Sequence, residues 1–409
     1  MPYFSIPLSG LSADSVALNT IGNNLSNLNT TAFKGQNTEF EDLFYQQIGI
    51  NGSGDVLQVG AGTKVATTAT DYSQGSISPT TVTSDLALSG DGYFVVQQDG
   101  VNALTRAGNF QLDSTGNLIT SEGSSVMGYA AINSVVNTSA AVTPLKLPVG
   151  TTEAAKATEN VSLTANLNAG STVGTSYSTP ETIYDSLGAS HLATITFDKT
   201  AANAWDYTVS LPAADYSGAT ANTTGTMTFD SSGNLVTPAS DVTGMTFAGL
   251  TDGAAGLDLN LNLYSSAGVP TVTQTSATSQ TNGTTQDGFT SGIYQSFTVD
   301  ASGVVTAAFS NGQTESVGQV AVATVANNEG LTVVGNNNFM TTAASGQADI
   351  GVAGSGSRGT ITDSALELSN VDISTEFADL IVAQRAFEAN SKTVTTFDTV
   401  TQDTIAMIR

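Results

Sequence analysis

A chain of 409 residues is longer than one hydrophobic core usually supports, so two or three compact units are expected. Only 11% of its residues are charged, 10 basic against 35 acidic, and the resulting formal charge of −25 opposes phosphate backbones and anionic lipid and excludes nucleic acid as an expected partner. Cysteine is absent and His191 is the single histidine, so disulfides, thiolate or His-cluster metal sites and a Ser-His triad are not expected, and any hydrolysis would rest on carboxylates alone.

The opening Met1–Ile6 has no long apolar stretch and no basic residue precedes Lys34, which is not the pattern of a Sec signal peptide. Leu11, Leu18, Ile21, Leu25 and Leu28 follow at steps of seven, three, four and three, the rhythm of a coiled-coil seam with Asp14 as its polar interruption. Gly22 and several Asn residues weaken this helix, so it needs a partner helix to be ordered. The sequence leaves residues 36–70 open between extended arm and helix, although Phe40, Leu43, Phe44 and Ile48 carry a helical rhythm suited to packing between subunits. The Gly-rich stretches Asn51-Gly52-Ser53-Gly54 and Gly60-Ala61-Gly62 then place a boundary near Asp71.

From there the pattern is β. Alternation in Phe94-Val95-Val96-Gln97, in Ala193-Thr194-Ile195-Thr196-Phe197 and in Val320-Ala321-Val322-Ala323-Thr324-Val325 predicts half-buried strands. Asp113-Ser114-Thr115-Gly116, Asp230-Ser231-Ser232-Gly233 and Asp300-Ala301-Ser302-Gly303 predict hairpin tips, with Asp holding the turn and Gly in the left-handed position. They lack the later ligands and closing Glu of a calcium loop. A further boundary falls near Gly150, residues 151–285 read as a separate β-domain, and Asp287 onward returns to the earlier style.

Gly354-Ser355-Gly356-Ser357-Arg358-Gly359 fits the spacing of a dinucleotide loop, but its flanks are Gly-rich rather than strand and helix, so it reads as a connector. Thr360 to Arg409 contains neither Gly nor Pro, which makes it a helix candidate. Ile373, Phe377, Leu380, Ala383, Phe387, Val394, Phe397 and Ile408 form its apolar stripe, with Asp372 or Ser374 as cap.

Three motifs carry a resemblance. Ser9-Gly10-Leu11 with Ile21-Gly22-Asn23-Asn24-Leu25-Ser26-Asn27-Leu28-Asn29-Thr30-Thr31-Ala32-Phe33-Lys34 resembles the N-terminal signature of the bacterial flagellar rod and hook axial proteins. Gly90-Asp91-Gly92-Tyr93-Phe94-Val95-Val96 and Leu104-Thr105-Arg106-Ala107-Gly108-Asn109-Phe110 are similar to that family's first β-domain. Leu366-Glu367-Leu368-Ser369-Asn370-Val371-Asp372 and Ala383-Gln384-Arg385-Ala386-Phe387-Glu388-Ala389-Asn390-Ser391 complete the family order. The middle segment, with Thr182-Ile183-Tyr184-Asp185-Ser186-Leu187-Gly188-Ala189-Ser190-His191 and Trp205, looks like the inserted domain of hook rather than rod subunits. Trp205 is expected in its core and His191 in a structural place beside a strand.

The fold class expected is mainly β with terminal α-helices: two nested β-domains and a coiled-coil-like domain formed by both chain ends. The divisions are 1–35 with 365–409 as the helical domain, 36–70 as a connecting arm, 71–150 with 286–364 as the inner β-domain and 151–285 as the inserted outer β-domain. The resemblance implies a structural subunit of the extracellular hook, a curved tube transmitting torque, exported unfolded without a cleaved signal peptide. It implies a homopolymer that meets the distal rod protein, the hook cap protein, the hook–filament junction protein and the flagellar export apparatus. No catalytic, cofactor-binding or metal residue and no membrane insertion are expected. Subunit packing is assigned to Leu11, Leu18, Ile21, Leu25, Leu28, Phe377, Leu380, Phe387, Val394, Phe397 and Ile408, and the family motif to Asn23, Asn24, Asn27, Asn29, Thr30, Thr31, Phe33 and Lys34. A distal rod subunit and a secreted β-rich adhesin are the rival readings. Length and the Trp205 segment oppose the first, and an adhesin has no need of conjugate amphipathic ends. No pair of acids stands apart to support a glycosidase.

Overall fold

The structure, a computed structural model, describes residues 5–50, 52–98 and 100–407, so Ile408 lies outside the described residues. It is mainly β, with one long helix near each end of the chain. Two compact units are present, one drawn from Met1–Val149, Phe297–Ala307 and Glu315–Arg409, the other from Gly150–Ser296 and Ala308–Thr314.

In the first unit, helix α1 (Ser5–Ser26) runs antiparallel to helix α2 (Ile373–Met407), with Gly10 and Asp14 beside Asn390 and Asn24 beside Glu376. Asp372 caps α2: its Oδ1 accepts from the backbone N–H of Ser374 at 2.7 Å and of Thr375 at 3.0 Å. Those bonds hold its carboxyl below the usual aspartate range. Further along, the hydroxyls of Thr393, Thr396, Thr399, Thr401 and Thr404 donate back to carbonyls four residues earlier, a habit that weakens a helix left unsupported.

The Gly- and Pro-free tail is not helical throughout. Thr360–Asp363 and Ala365–Glu367 are strands, paired antiparallel with Leu86–Ser89 and Ile77–Pro79. Absence of breakers permits a helix without requiring one, and the buried Ile361, Ala365 and Glu367 sit at even spacing, the period of a strand. The helical rhythm over 36–70 also gives way to strands. β1 (Gln36–Asp42) pairs antiparallel with β4 (Thr63–Thr70), and β2 (Gln46–Ile50) pairs with β3 (Val56–Val59). Four apolar residues at helical steps are outweighed by the Thr- and Val-rich return strand and by helix-breaking Gly; Gly62 takes a φ of +110°.

The remainder of this unit is an antiparallel sheet in which Tyr93–Gln98 pairs with Val101–Thr105 and Ser125–Ile132. Tyr93, Val95, Leu104, Met127, Tyr129, Ala321, Ala323 and Phe339 form its core. The Gly-rich turn at 354–359 is pinned, because Arg358 Nη2 reaches Asp349 Oδ2 at 2.8 Å and Gly359 N–H donates to the Asp91 carbonyl at 2.7 Å. All three predicted hairpin tips form. Asp113, Asp230 and Asp300 each accept two backbone N–H groups on Oδ1, from Thr115 and Asn117, Ser232 and Asn234, and Ser302 and Val304. Gly116, Gly233 and Gly303 take φ of +89°, +83° and +86°. At each tip the Oδ1 oxygen is engaged by the turn's own amides.

The second unit is a sandwich of two sheets. One contains Ser176–Tyr184, Ser190–Ala201, Ala204–Ser210, Thr224–Phe229 and Leu235–Thr237; the other is built around Asn160–Asn168, with Leu257–Asn262 and Val272–Thr275 parallel to it. Leu163, Leu167, Ile183, Phe197, Trp205, Met227 and Leu259 fill the space between. Trp205 is fully buried and donates to Gln274 Oε1 at 2.8 Å, which satisfies its indole N–H.

The segments leading into and out of this sandwich are stapled side by side. Lys156 and Phe289 exchange both backbone bonds at 3.0 Å, and Thr158 Oγ1 donates to Gln286 Oε1 at 3.0 Å. Asp287 accepts from Glu159 and Asn160 N–H at 2.9 Å each and from Lys156 Nζ and Asn160 Nδ2 at 3.1 Å each. Partial burial pushes the Asp287 carboxyl up, but these donors outweigh it and hold the group well below its usual range. Asp287→Ala is expected to cost about 2 kcal/mol in this unit, since bonds to a charged acceptor are lost and two amides lose their partner. Because the folded pKa is depressed, the carboxylate's contribution is fully present above the ordinary aspartate value of about 3.9 and is lost as pH falls towards the folded value. The gap between wild type and variant in urea unfolding followed by Trp205 fluorescence should be constant from neutral pH to about pH 5 and shrink below pH ~4. A gap that does not change in acid would contradict this assignment.

Candidate assembly surface

The buried face of α1 is made of small and polar residues, not leucines: Pro7, Gly10, Ala13, Ala17, Thr20 and Asn24, at steps of three and four. Small side chains let neighbouring backbone approach closely. A Cβ on Gly10 would lie 2.6 Å from Asn390 Nδ2, which is instead free to donate to Asp14 Oδ2 at 2.8 Å. Leu11, Leu18, Ile21 and Leu25 flank this face, Leu28 lies in the turn past the helix end, and all five are half-buried. On α2, Leu380, Phe387 and Val394 are half-buried, Phe377 and Phe397 are exposed, and no described residue of the helix is buried.

Asn24 explains much of the Asn-rich motif. Only 1% exposed, it donates from Nδ2 to the Gln36 carbonyl at 2.8 Å and to Glu376 Oε1 at 2.9 Å, and accepts from Gln36 N–H on Oδ1 at 2.9 Å. It therefore ties α1, β1 and α2 together; a leucine there would leave these groups unpaired. Burial pushes the Glu376 carboxyl up, against the pull of this bond. Asn27 Nδ2 donates to the Asn23 carbonyl and Thr30 Oγ1 to Asn27 Oδ1, which closes the helix end, while Asn29 is exposed. The Thr31 carbonyl accepts from Asn337 Nδ2, and that of half-buried Phe33 from Asn370 N–H.

Lys34 leads into a buried ion cluster that sequence reasoning did not find. Its Nζ lies 2.5 Å from Glu367 Oε1 and 2.7 Å from the Ser73 carbonyl, while Arg106 Nη1 lies 3.4 Å from Glu367 Oε2. Glu367 Oε1 also accepts from Gly75 N–H at 2.9 Å. Desolvation lowers the Lys34 pKa, opposed by the bond to Glu367. Each of the three motifs that carry the resemblance contributes one member. Motif order hints at that, but 333 residues separate Lys34 from Glu367 and no local pattern pairs them.

The apolar surface left uncovered in this unit lies mainly at the chain ends and on the β2–β3 hairpin. Ile6, Leu8, Ile381, Val382, Val400, Ile405 and Met407 are exposed on the helices. On and beside the hairpin, Phe44 is 96% exposed, and Tyr45, Ile48, Ile50, Val56, Leu57 and Val59 are exposed with it.

Four family models account for most of the chain: a flagella basal body rod protein model over residues 6–34, the flagellar hook protein FlgE/F/G D1 domain over 87–155, the flagellar basal body protein FlaE D2 domain over 156–289 and the flagellar basal body rod FlgEFG protein C-terminal model over 362–407. These matches, taken in chain order, define an axial protein of the flagellum. The chain is 33% identical to the flagellar hook protein FlgE of Escherichia coli over 97% of its own length and 98% of that protein's, and 31% identical to that of Borreliella burgdorferi over 98% of both. The chain belongs to the flagellar hook protein family. The crystal structure of Helicobacter pylori flagellar hook protein FlgE2 shares its fold, with a TM-score of 0.55 at 17% identity over 71% of this chain and 100% of that one.

Proposed function

We propose that copies of this chain polymerise through their ends into the flagellar hook, a curved tube that carries torque from rod to filament. The observation that carries this reading is the contrast between finished β-cores and unfinished ends: Trp205, Phe197 and Phe94 are fully buried, whereas α2 has no buried residue and the β2–β3 hairpin stands exposed. Burying a large apolar side chain is worth about 1.5–3 kcal/mol, so several per helix favour association once neighbours share the ordering cost. Leu11, Leu18, Ile21, Leu25, Leu28, Phe377, Leu380, Phe387, Val394 and Phe397 supply the packing in this proposal.

The proposal divides the chain into 1–35 with 365–409 for tube formation, 36–70 as a connecting arm, and a β-domain of 71–150 with 286–364 into which 151–285 is inserted in sequence. Family models ending at 155 and 289 support those divisions. The partners proposed are further copies of this chain, the distal rod protein, the hook cap protein, the hook–filament junction protein and the flagellar export apparatus. Export in this proposal runs through that apparatus, and the role is structural rather than enzymatic.

A Leu25→Asp allele in place of the native gene tests the reading. Leu25 is half-buried, so a carboxylate there spoils an interface while both β-cores fold. The expected result by cryo-tomography is complete rods that end without a hook. Normal hooks would overturn the packing role, and incomplete rods would move the chain to the distal rod.

A further inference from the structure

Sequence reasoning gave His191 a structural place beside a strand, yet in the second unit three aspartates from three separate loops converge on it. Its Nε2 lies 3.1 Å from Asp185 Oδ2 and 3.7 Å from Asp252 Oδ2, and its Nδ1 lies 3.1 Å from Asp215 Oδ2. Asp185 Oδ2, His191 Nε2 and Asp252 Oδ2 all lie within 4.8 Å of one another. We propose that Asp185, His191 and Asp252 form a binding site for one divalent transition-metal ion, with zinc the best match, and that Asp215 orients the imidazole.

Ligand chemistry fits. Zinc takes His nitrogen at about 2.0–2.1 Å and carboxylate oxygen at about 2.0–2.2 Å, so ligand atoms around a tetrahedral ion stand about 3.4 Å apart. The two distances to Nε2 bracket that value. Two oxygens and one imidazole nitrogen form a borderline donor set that suits zinc better than calcium, and three protein ligands leave a fourth position for water. Nδ1 faces a carboxylate of its own, an arrangement that fixes the tautomer with Nε2 towards the metal.

Both carboxylates are aimed by bonds that do not involve the cluster. Asp185 Oδ1 accepts from Leu187 N–H at 2.8 Å and from Ala189 N–H at 2.9 Å, which turns Oδ2 towards the imidazole. Asp252 Oδ1 accepts from Ala254 N–H at 3.0 Å, with the same result. The three loops are themselves joined, by Thr251 N–H to the Asp215 carbonyl at 3.0 Å and by Ala255 N–H to Ser186 Oγ at 3.1 Å.

Charge supplies the independent argument. Asp185 is fully buried and His191 is 7% exposed, so this corner holds more negative than positive charge largely away from water. One hydrogen on Nε2 bonds Asp185 at 3.1 Å but does not reach Asp252 at 3.7 Å, whose carboxyl instead lies against that of Asp185. A dication between the three atoms serves both oxygens at once. Asp215 and Asp252 are each about one-third exposed, which opens the site to ions from solvent.

The test uses the full-length, chelator-treated chain. Because His191 is its only histidine, the imidazole ¹⁵N signals report on the site without any substitution. One equivalent of zinc chloride is expected to move the Nε2 signal to the metal-bound range and leave Nδ1 protonated, and calorimetry is expected to show one tight site. Asp252→Asn, at a partly exposed turn, should weaken that site at least tenfold while Trp205 fluorescence confirms a folded unit. Asp215→Asn should weaken it by about 10–100-fold, the usual cost of losing a group that orients a metal-bound histidine. An unshifted Nε2 signal at one equivalent would overturn the proposal. So would zinc affinity unchanged in folded Asp252→Asn, because the ion would then sit on other carboxylates of this acidic chain.

Discussion

Glu367→Ala is expected to destabilise the first unit by about 3–5 kcal/mol, the usual cost of removing one partner from a buried ion cluster. Glu367 is fully buried, and Lys34 and Arg106 are each 5% exposed, so its loss strands two cations away from water. Against a typical domain stability of about 5–15 kcal/mol, that is a large share. Glu367→Gln keeps the shape and part of the hydrogen bonding, so its loss should be smaller. The chain reports the two units separately: Trp205, the only tryptophan, lies in the second, so its unfolding midpoint should stay put while the far-UV circular dichroism of the first unit shifts to lower urea. Equal stability of wild type and Glu367→Ala would mean that the cluster does not hold the unit together. The exposed pair Lys64 and Glu41, at 2.6 Å, supplies the contrast, because breaking a solvent-screened pair costs about 0–1 kcal/mol.

The second large effect concerns the β2–β3 hairpin. Phe44→Ser with Ile48→Ser should leave monomer stability unchanged within about 0.5 kcal/mol, because both side chains already face water. Polymerisation should fail. Two large apolar side chains are worth about 3–6 kcal/mol when buried, and at about 1.4 kcal/mol per decade the critical concentration rises by about 10²–10⁴. Sedimentation of polymer at a series of concentrations measures this directly, and polymer formed at the wild-type concentration would remove the hairpin from the assembly surface.

Local chemistry was legible in the sequence and long-range chemistry was not. Asp113, Asp230 and Asp300 could be assigned to hairpin tips because the turn is a contract among four adjacent residues. The cap at Asp372 was readable for the same reason. Residues 36–70 stayed open between extended arm and helix, since a step of four between Phe40 and Phe44 satisfies a strand as well as a helix. In α1 the leucine rhythm was real, but the face buried within the unit is the Gly10, Ala13, Ala17 and Asn24 side. Hydrophobicity alone does not reveal that, because close backbone approach selects for small residues. The Lys34, Arg106 and Glu367 cluster, and the meeting of Asp215 and Asp252 at His191, depend on chain crossings that no window of sequence contains.

The staple around Asp287 has a mechanical meaning. The segments that lead into and out of the sandwich sit side by side, so tension applied to its two ends acts first on the Lys156–Phe289 pair and the donors around Asp287, not on the layers holding Trp205. Load along the rest of the chain can thus rise to the breaking point of that neck before the sandwich beyond it feels any pull. In a structural subunit of the hook, such a neck acts as a strain relief.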